Sequence, residues 1–215
     1  MNRKRALFYP CAGGDIDTPF TAFNAIIDEF WFVDLNYNVL RLPKLRWSRT
    51  DDIETINWNL NSSNCQVTTQ RFKSPIFNKT ISLNFVTGDG KSAFDILFAD
   101  TSGERELSVF FHRGDSQGEG GSNVYWLHKS DIEGNQSGLL NHVLAKMELP
   151  AILCTDGSNA ISELRTHFDE RTPARDTHLS LPILEVHGHT LAPIGTLDTR
   201  YGPTIVYKVM RTLIS

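Results

Sequence analysis

The chain has 215 residues, of which 40% are hydrophobic and 21% charged, a composition that suits a globular protein with a sizeable core. Its formal net charge is −4 and its basic residues are scattered, which argues against a nucleic-acid-binding surface. No run of about 18 apolar residues is present, so no membrane-spanning helix is expected.

The start of the chain predicts a βαβ unit. Arg5–Cys11 is a continuous apolar run, typical of a strand that is buried on both faces. A turn at Gly13-Gly14-Asp15 follows, and Thr18 before a proline is a typical helix start. Phe30–Leu35 then predicts a second strand, which carries Asp34 near its end. These elements together give a parallel strand pair with a crossover helix.

The middle of the chain is less regular. Val39–Thr80 predicts mainly loops, with a strand over Gln66–Phe72. Thr80–Val86 predicts a strand that ends at a glycine-containing turn. The segment Ala93–Phe98 fits either the second strand of a hairpin or a short helix. Leu107–Phe111 predicts another buried strand.

The last part of the chain predicts further helices and strands. Val124–Met147 reads as mainly helical, and a strand over Ala151–Cys154 precedes a helix over Ala160–Phe168. Ile183–Val186 and Thr204–Val209 predict an antiparallel strand pair. Without an internal repeat or a long linker, residues 1–215 are expected to form a single domain.

Several predicted strands stop at short clusters of glycine and polar residues. In an open parallel sheet, ligands bind beyond the carboxyl ends of the strands, where loops supply side chains and amides. Asp34 follows Gly13 by about the spacing at which an acid reaches a ribose hydroxyl in nucleotide-binding βαβ units. The clusters stand at Cys11–Asp15, Val33–Asn36, Thr87–Gly90, His112–Ser116 and Thr155–Asn159.

The segment Arg113–Ser122 is the densest of these polar regions, with four of the chain's 15 glycines. Arg113 suits the binding of an anionic group, and Asp115 or Glu119 suits a general base or a metal-binding carboxylate. A surface loop with internal ion pairs is the alternative interpretation. We expect this segment to form the rim of a ligand pocket.

In the order of these elements, the chain resembles the class I S-adenosylmethionine-dependent methyltransferases. Tyr9–Gly14 stands where that family has an acid followed by G-x-G-x-G, so the first motif is only partly matched. The parts that carry the resemblance are the Ala12–Asp15 glycine loop, the acids Asp34 and Asp89, the strands Val109–Phe111 and Pro150–Asp156, and the closing region Ile183–Val209.

The resemblance implies an α/β fold, a Rossmann-like three-layer sandwich whose mostly parallel sheet ends in an antiparallel C-terminal strand pair. It implies methyl transfer from S-adenosylmethionine to a small molecule, without a metal ion. The implied cofactor residues are Gly13, Gly14, Asp34 and Asp89. For this activity, the candidate catalytic residues are Asp115 and Glu119, and the candidate substrate-binding residues are Arg113, Ser116 and Asp156.

Two other functions fit the same residues. One is a non-catalytic module that binds a nucleotide or another small anion through Arg113. The other is metal-assisted hydrolysis by the loop that carries Asp115 and Glu119. In each case the expected partner is a small molecule, with neither nucleic acid nor membrane. Three widely spaced cysteines, without a paired motif, favour a reducing, cytoplasmic location.

Overall fold

A computed structural model describes residues 3–35, 37, 53–60, 64–74, 76–99, 103–113, 124–128, 137–158, 160–164, 174–199 and 202–212. These residues form two compact units, the first extending to Leu107 and the second beginning at Ser108. No helix in the described ranges is long and apolar enough to cross a lipid bilayer.

The first unit is a five-stranded mixed sheet with strand order β1-β2-β5-β4-β3. Strand β2 pairs in parallel with both β1 and β5, whereas β4 pairs antiparallel with both β5 and β3. Two helices accompany these strands. The elements are β1 Lys4–Pro10, α1 Asp17–Phe23, β2 Glu29–Asp34, β3 Glu54–Asn59, β4 Gln66–Lys73, β5 Thr80–Thr87 and α2 Gly90–Leu97.

Aromatic packing holds the helices of this unit against its strands. Phe8 of β1 contacts Phe94 of α2 edge-on, with 5.1 Å between the ring centroids. Phe20 of α1 lies 5.0 Å from Phe30 of β2, and all four rings are fully buried. Burying one such side chain contributes about 1.5–3 kcal/mol.

The predicted βαβ unit at the start of the chain is confirmed, because β1 and β2 pair in parallel. Of the two interpretations of Ala93–Phe98, the helix is correct.

A buried charge network fixes the amino end of β2. The Glu29 carboxylate, 5% exposed, accepts hydrogen bonds from Lys4 Nζ at 2.7 Å and from Arg105 Nε at 2.9 Å. Trp31 Nε1 donates to the same carboxylate at 3.3 Å, and the Arg105 guanidinium lies 5.1 Å from the Trp31 ring centroid. This network lies at the end of β2 opposite to Asp34.

The second unit has the strand order β10-β11-β12-β9-β6, to which β6 contributes its residues from Ser108 onward. Strands β10, β11, β12 and β9 pair antiparallel in succession, and β7 and β8 form a separate short parallel pair. Phe110 and Trp126 pack in its core, with 5.6 Å between ring centroids. The elements are β6 Arg105–His112, β7 Val124–Tyr125, β8 Ser137–Gly138, α3 Leu140–Lys146, β9 Met147–Thr155, β10 Leu184–Val186, β11 His189–Thr199 and β12 Gly202–Arg211.

The predicted Rossmann-like three-layer sandwich with a mostly parallel sheet is wrong, and so is the resemblance to methyltransferases that implied it. Strands account for 51% of the structure and helices for 19%, and the strand pairing is mixed and largely antiparallel. The α-helices of the described residues are only seven or eight residues long. Antiparallel strands do occur at the C-terminal end, but β10 and β12, which were predicted to pair with each other, each pair with β11 instead. Helices extensive enough for two covering layers are not seen in the described ranges.

The missing helical content has two sources in the predicted elements. Val124–Met147 was expected to be mainly helical, yet the described part of this range contains a helix of only seven residues, α3, which is followed directly by β9 at Met147. Within the predicted helix Ala160–Phe168, the described part contains only a 3₁₀ turn over Ser162–Leu164. In addition, β3 forms where loops were expected, which extends the antiparallel part of the first unit.

Candidate functional site at the carboxyl ends of β1, β2 and β5

The carboxyl ends of β1, β2 and β5 lie side by side in the first unit. Pro10 of β1 pairs with Val33 of β2, and Asp34 pairs with Thr87 of β5. Backbone hydrogen bonds continue this register into the turns, from Ala12 N to the Val33 carbonyl at 3.0 Å and from Gly88 N to the Asp34 carbonyl at 3.1 Å. The three polar turns that follow these strands are therefore adjacent.

Asp34 contacts the turn that follows β1. Its Oδ2 accepts a hydrogen bond from the Gly13 amide at 3.2 Å. Gly13 has a φ of +50°, a conformation that glycine adopts without steric cost. No heavy atom lies within 4 Å of the position that a Cβ would take at Gly13 or at Gly14. The structure thus brings three of the predicted cofactor residues together, beside open space.

Asp15 lies in the same turn. Its amide donates to the Ala12 carbonyl at 3.0 Å, which closes the turn, and its carboxylate accepts a long hydrogen bond of 3.4 Å from the Tyr9 hydroxyl. Cys11 has a φ of 58°, a left-handed conformation that costs an L-residue about 1–2 kcal/mol. The turn is consequently a strained segment that is closed by its own hydrogen bonds.

Tyr37 is a member of this cluster that the sequence analysis missed. Its side chain is only 8% exposed, and its buried hydroxyl has no hydrogen-bond partner. The ring packs edge-on against Phe85 at 5.6 Å, and the Tyr37 carbonyl accepts a hydrogen bond from Thr87 Oγ1 at 2.7 Å. Burial raises the pKa of Tyr37 well above 10, and the nearby Asp34, Cys11 and Asp15 raise it further.

Asp89, the fourth predicted cofactor residue, caps helix α2. Its Oδ2 accepts hydrogen bonds from the amide and the hydroxyl of Ser92, at 2.9 Å and 2.6 Å. An N-cap aspartate is an ordinary structural device that satisfies a free helix amide. Asp89 therefore has a structural role at the end of β5, and its contact with a ligand stays a prediction.

Among the described residues, the charged side chains of the turns after β1, β2 and β5 are acidic. Asp15, Asp34 and Asp89 follow the three strands, and Asp17 stands in the first turn of α1. The nearest lysine in sequence, Lys91, forms an ion pair with Asp95 at 2.6 Å. These described carboxylates would repel an anion such as a phosphate, which a helix amino terminus would otherwise attract.

The predicted substrate residues Arg113 and Asp156 belong to the second unit. Arg113 follows β6 and is 3% exposed, beside a fully buried His112. Asp156 follows β9, where its Oδ1 accepts a hydrogen bond from Ser158 N at 2.9 Å, a common turn arrangement. These strands, β6 and β9, are neighbours in the strand order of that unit.

The remaining site residues predicted in the Arg113–Ser122 segment are Asp115, Ser116 and Glu119. Asp115, Ser116 and Glu119 lie outside the described residues. Their catalytic, substrate-binding and metal-binding roles stay predictions. Within the part of the chain that the structure describes, no group of three His, Cys, Asp or Glu side chains could hold a metal ion.

A second concave surface lies at the opposite ends of the strands in the first unit. This groove of about 490 Å³ is lined by Arg3, Arg5, Ala25, Ile26, Asp28, Lys79 and Glu106. Four of its five charged side chains form ion pairs, Lys79 with Asp28 at 3.3 Å and Arg5 with Glu106 at 3.6 Å. Such an open groove of compensated surface charges points to no particular ligand.

Comparisons of the chain with protein-family models, with curated proteins and with solved structures found no match. The resemblance to methyltransferases therefore receives no support from known proteins. A function for this chain has to be argued from the site itself.

Proposed function

We propose that this chain binds a small molecule with vicinal hydroxyl groups, a nucleoside, at the carboxyl ends of β1, β2 and β5. The observation that carries the proposal is the contact between the Asp34 carboxylate and the Gly13 amide at 3.2 Å. It places an acid that ends the second strand over a glycine turn that follows the first, beside open space above Gly13 and Gly14.

The chemistry of the acid suits hydroxyl groups. A carboxylate accepts hydrogen bonds from two neighbouring hydroxyls, and each such bond to a charged group contributes about 1.5–3 kcal/mol. Ribose is the common metabolite group that presents this pair. The acidic residues Asp15 and Asp17 disfavour a phosphate, so the proposal is a nucleoside rather than a nucleotide.

S-adenosylmethionine contains a nucleoside and has no phosphate, so it stays among the ligands that this proposal includes. Methyl transfer is not part of the proposal. The function supported best is reversible binding of the ligand, in which Asp34 orients the ribose and the Gly13–Gly14 turn permits close approach of the ligand to the backbone.

Calorimetry of the full chain tests this proposal with two matched ligands, adenosine and 2′,3′-dideoxyadenosine. We expect adenosine to bind at least about tenfold more tightly, since only adenosine offers the vicinal 2′ and 3′ hydroxyls to Asp34. The variant Asp34→Asn should abolish this difference. The control Asp95→Asn removes the same charge from an exposed pair on α2 and should leave the difference intact.

Two outcomes would overturn the proposal. One is that adenosine, uridine and S-adenosylmethionine all fail to bind at about 1 mM. The other is that adenosine and its dideoxy analogue bind equally well. Amide chemical shifts of Gly13 and Gly14 in the presence of adenosine give an independent location for the bound ligand, and unchanged shifts would place the ligand elsewhere.

A further inference from the structure

The hairpin formed by β4 and β5 has an apolar tip that is exposed to solvent. Ile76 is 76% exposed, and the neighbouring Phe77 is 41% exposed. Among the large hydrophobic side chains of the described residues, none is more exposed than Ile76. Single exposed apolar residues are common on protein surfaces, but two adjacent ones at the tip of a hairpin indicate a contact surface.

Hydrogen bonds within the turn hold this tip in one conformation. The Ser74 amide donates to the Lys79 carbonyl at 2.8 Å, and the Asn78 amide donates to the Ser74 carbonyl at 3.0 Å. The Phe77 amide donates to Ser74 Oγ at 3.3 Å. Asn78 has a φ of 48°, a left-handed conformation that asparagine adopts more readily than most residues. Binding therefore requires little further ordering of the turn that carries Ile76 and Phe77.

Basic residues flank the apolar tip. Residues 65–88 include Arg71, Lys73 and Lys79 but neither Asp nor Glu, in a chain whose formal net charge is −4. Lys73 ends β4 and Lys79 directly precedes β5, so the tip has a cation on either side. The hairpin is thus a positively charged part of an otherwise acidic chain, and its charge is complementary to an anionic surface.

Among the described residues, acidic side chains of other elements compensate this charge only in part. Lys79 pairs with Asp28 at 3.3 Å. Arg71 lies 4.0 Å from Glu54, and these two side chains are 47% and 64% exposed. Exposed pairs of this kind are weak, so their cations can also attract external anions. Lys73 is itself exposed beside the tip.

A third exposed apolar side chain lies on the same side of the first unit. Lys79 Nζ donates to the Ile27 carbonyl at 2.7 Å, which joins the hairpin to the turn after α1. Ile26 in that turn is 41% exposed and lines the groove described above together with Lys79. Besides Lys79, the groove contains two arginines and two acidic residues, so it adds no net charge of its own.

We infer that the hairpin tip binds the surface of a membrane that contains anionic lipids. Ile76 and Phe77 enter the boundary between headgroups and acyl chains, and Lys73 and Lys79 lie against the headgroups. A few apolar side chains suffice for such peripheral binding when basic residues add electrostatic attraction. A peripheral contact needs no spanning segment, whose lack was the basis for expecting no membrane partner.

The small area of the tip favours a membrane over a protein partner. Complete burial of one aromatic side chain removes about 150–250 Å² from water. Each partner of a standard protein interface contributes about 800 Å², far more than Ile76 and Phe77 together provide. A bilayer surface requires no such complementary area, because its acyl chains accept any apolar side chain that reaches them.

Cosedimentation of the full chain with lipid vesicles tests the inference. The probes are vesicles of phosphatidylcholine alone and vesicles in which about 30% of the lipid is phosphatidylserine. We expect at least about tenfold higher affinity for the anionic vesicles, and this advantage should shrink as salt is added. Lys73→Gln should lower the affinity for anionic vesicles by about threefold or more. The control Lys208→Gln, at an exposed position of β12 in the second unit, should leave it unchanged.

Apolar substitutions test the insertion of the tip. The double variant Ile76→Ser, Phe77→Ser should lower the affinity for anionic vesicles by at least about tenfold. Leu179→Ser is the matched control, because Leu179 is 74% exposed in the second unit. In Ile76→Trp, the emission in excess of the wild type should shift to shorter wavelength with anionic vesicles, because an indole in an apolar medium emits there. Leu179→Trp should show no such shift.

Three outcomes would overturn the inference. One is that the wild type binds neither kind of vesicle at about 1 mM lipid. Another is that the double serine variant binds anionic vesicles as tightly as the wild type does. The third is self-association without lipid, seen by sedimentation velocity and lost in the double variant, which would assign the tip to a second copy of the chain. The nucleoside site is tested separately by adenosine binding and stands or falls independently of these results.

Discussion

The Asp34 carboxylate accepts a hydrogen bond from the Gly13 amide across 21 positions of sequence, at 3.2 Å. This contact ties the end of β2 to the turn after β1. We expect Asp34→Ala to lower the free energy of unfolding by about 1–2 kcal/mol, because the amide loses its acceptor. Asp34→Asn keeps an acceptor oxygen and should lose less than half as much, as measured by urea denaturation. Equal losses would show that the hydrogen bond is not what stabilises the turn.

A second prediction concerns Gly88, in the turn after β5. Its φ is +149°, and a Cβ there would lie 2.8 Å from Cys65 Sγ and 3.1 Å from Cys65 Cα. Because the second of these atoms is backbone, rotation of the Cys65 side chain cannot relieve the clash. We expect Gly88→Ala to lower the free energy of unfolding by about 2–4 kcal/mol, measured in urea.

The control for Gly88→Ala is Gly14→Ala, in the turn after β1. No heavy atom lies within 4 Å of the Cβ position at Gly14, so this variant should change the free energy of unfolding by less than about 0.5 kcal/mol. Gly88→Ala combined with Cys65→Ala should recover part of the loss. A loss in Gly14→Ala as large as that in Gly88→Ala would contradict the steric explanation.

The sequence identified those parts of the fold in which apolar residues are continuous or regularly spaced. Strand β1 was predictable because Ala6–Tyr9 are all buried, so no polar residue interrupts the run. Strand β3 was not, since its residues are mostly exposed and its sequence ETINWN reads as a polar loop. Its strand conformation depends instead on pairing with β4, through contacts such as the Trp58–Thr69 hydrogen bond at 2.9 Å.

The candidate site could be predicted only where local spacing determines it. The contact of Asp34 with Gly13 follows from the length of one βαβ unit, so its members were found. Tyr37 was missed because its burial depends on Phe85 and Thr87, far along the chain in β5. No pattern in the residues around Tyr37 indicates that a distant strand covers its ring.

A third prediction concerns the stability of the protein in acid. Burial raises the pKa of Glu29, but the hydrogen bond and charge of Lys4 and of Arg105 outweigh it, so the pKa lies below 4.5. The charged carboxylate therefore stabilises the folded state above pH 4.5, and this contribution is lost as the pH falls through the lowered value. Glu29→Gln should cost about 2–3 kcal/mol at pH 7 and flatten this acid dependence in urea denaturation.

The control for Glu29→Gln is Glu104→Gln. Glu104 also lies near Arg105, at 3.7 Å, but its side chain is 74% exposed. An exposed ion pair of this kind contributes little, so this variant should change the free energy of unfolding by less than about 0.5 kcal/mol. If both variants keep the acid dependence of the wild type, groups other than Glu29 cause it.

A fourth prediction concerns alkaline conditions. Burial raises the pKa of Tyr207 from 10.0 to about 12. The folded state then holds its proton more tightly than the unfolded chain, so this contribution is complete below pH 10 and is lost between pH 10 and 12. A difference of this size corresponds to roughly 2–3 kcal/mol. Tyr207→Phe should remove this part of the decline in unfolding free energy, and an unchanged decline would contradict the assignment.

The last prediction concerns the stability of the protein and the buried hydroxyl of Tyr37. Because its buried hydroxyl has no partner, Tyr37→Phe should raise the free energy of unfolding of the ligand-free protein by about 1 kcal/mol, in urea denaturation. A hydroxyl that is hydrogen-bonded in the folded protein would instead lower stability when removed. A destabilised Tyr37→Phe variant would therefore contradict this prediction.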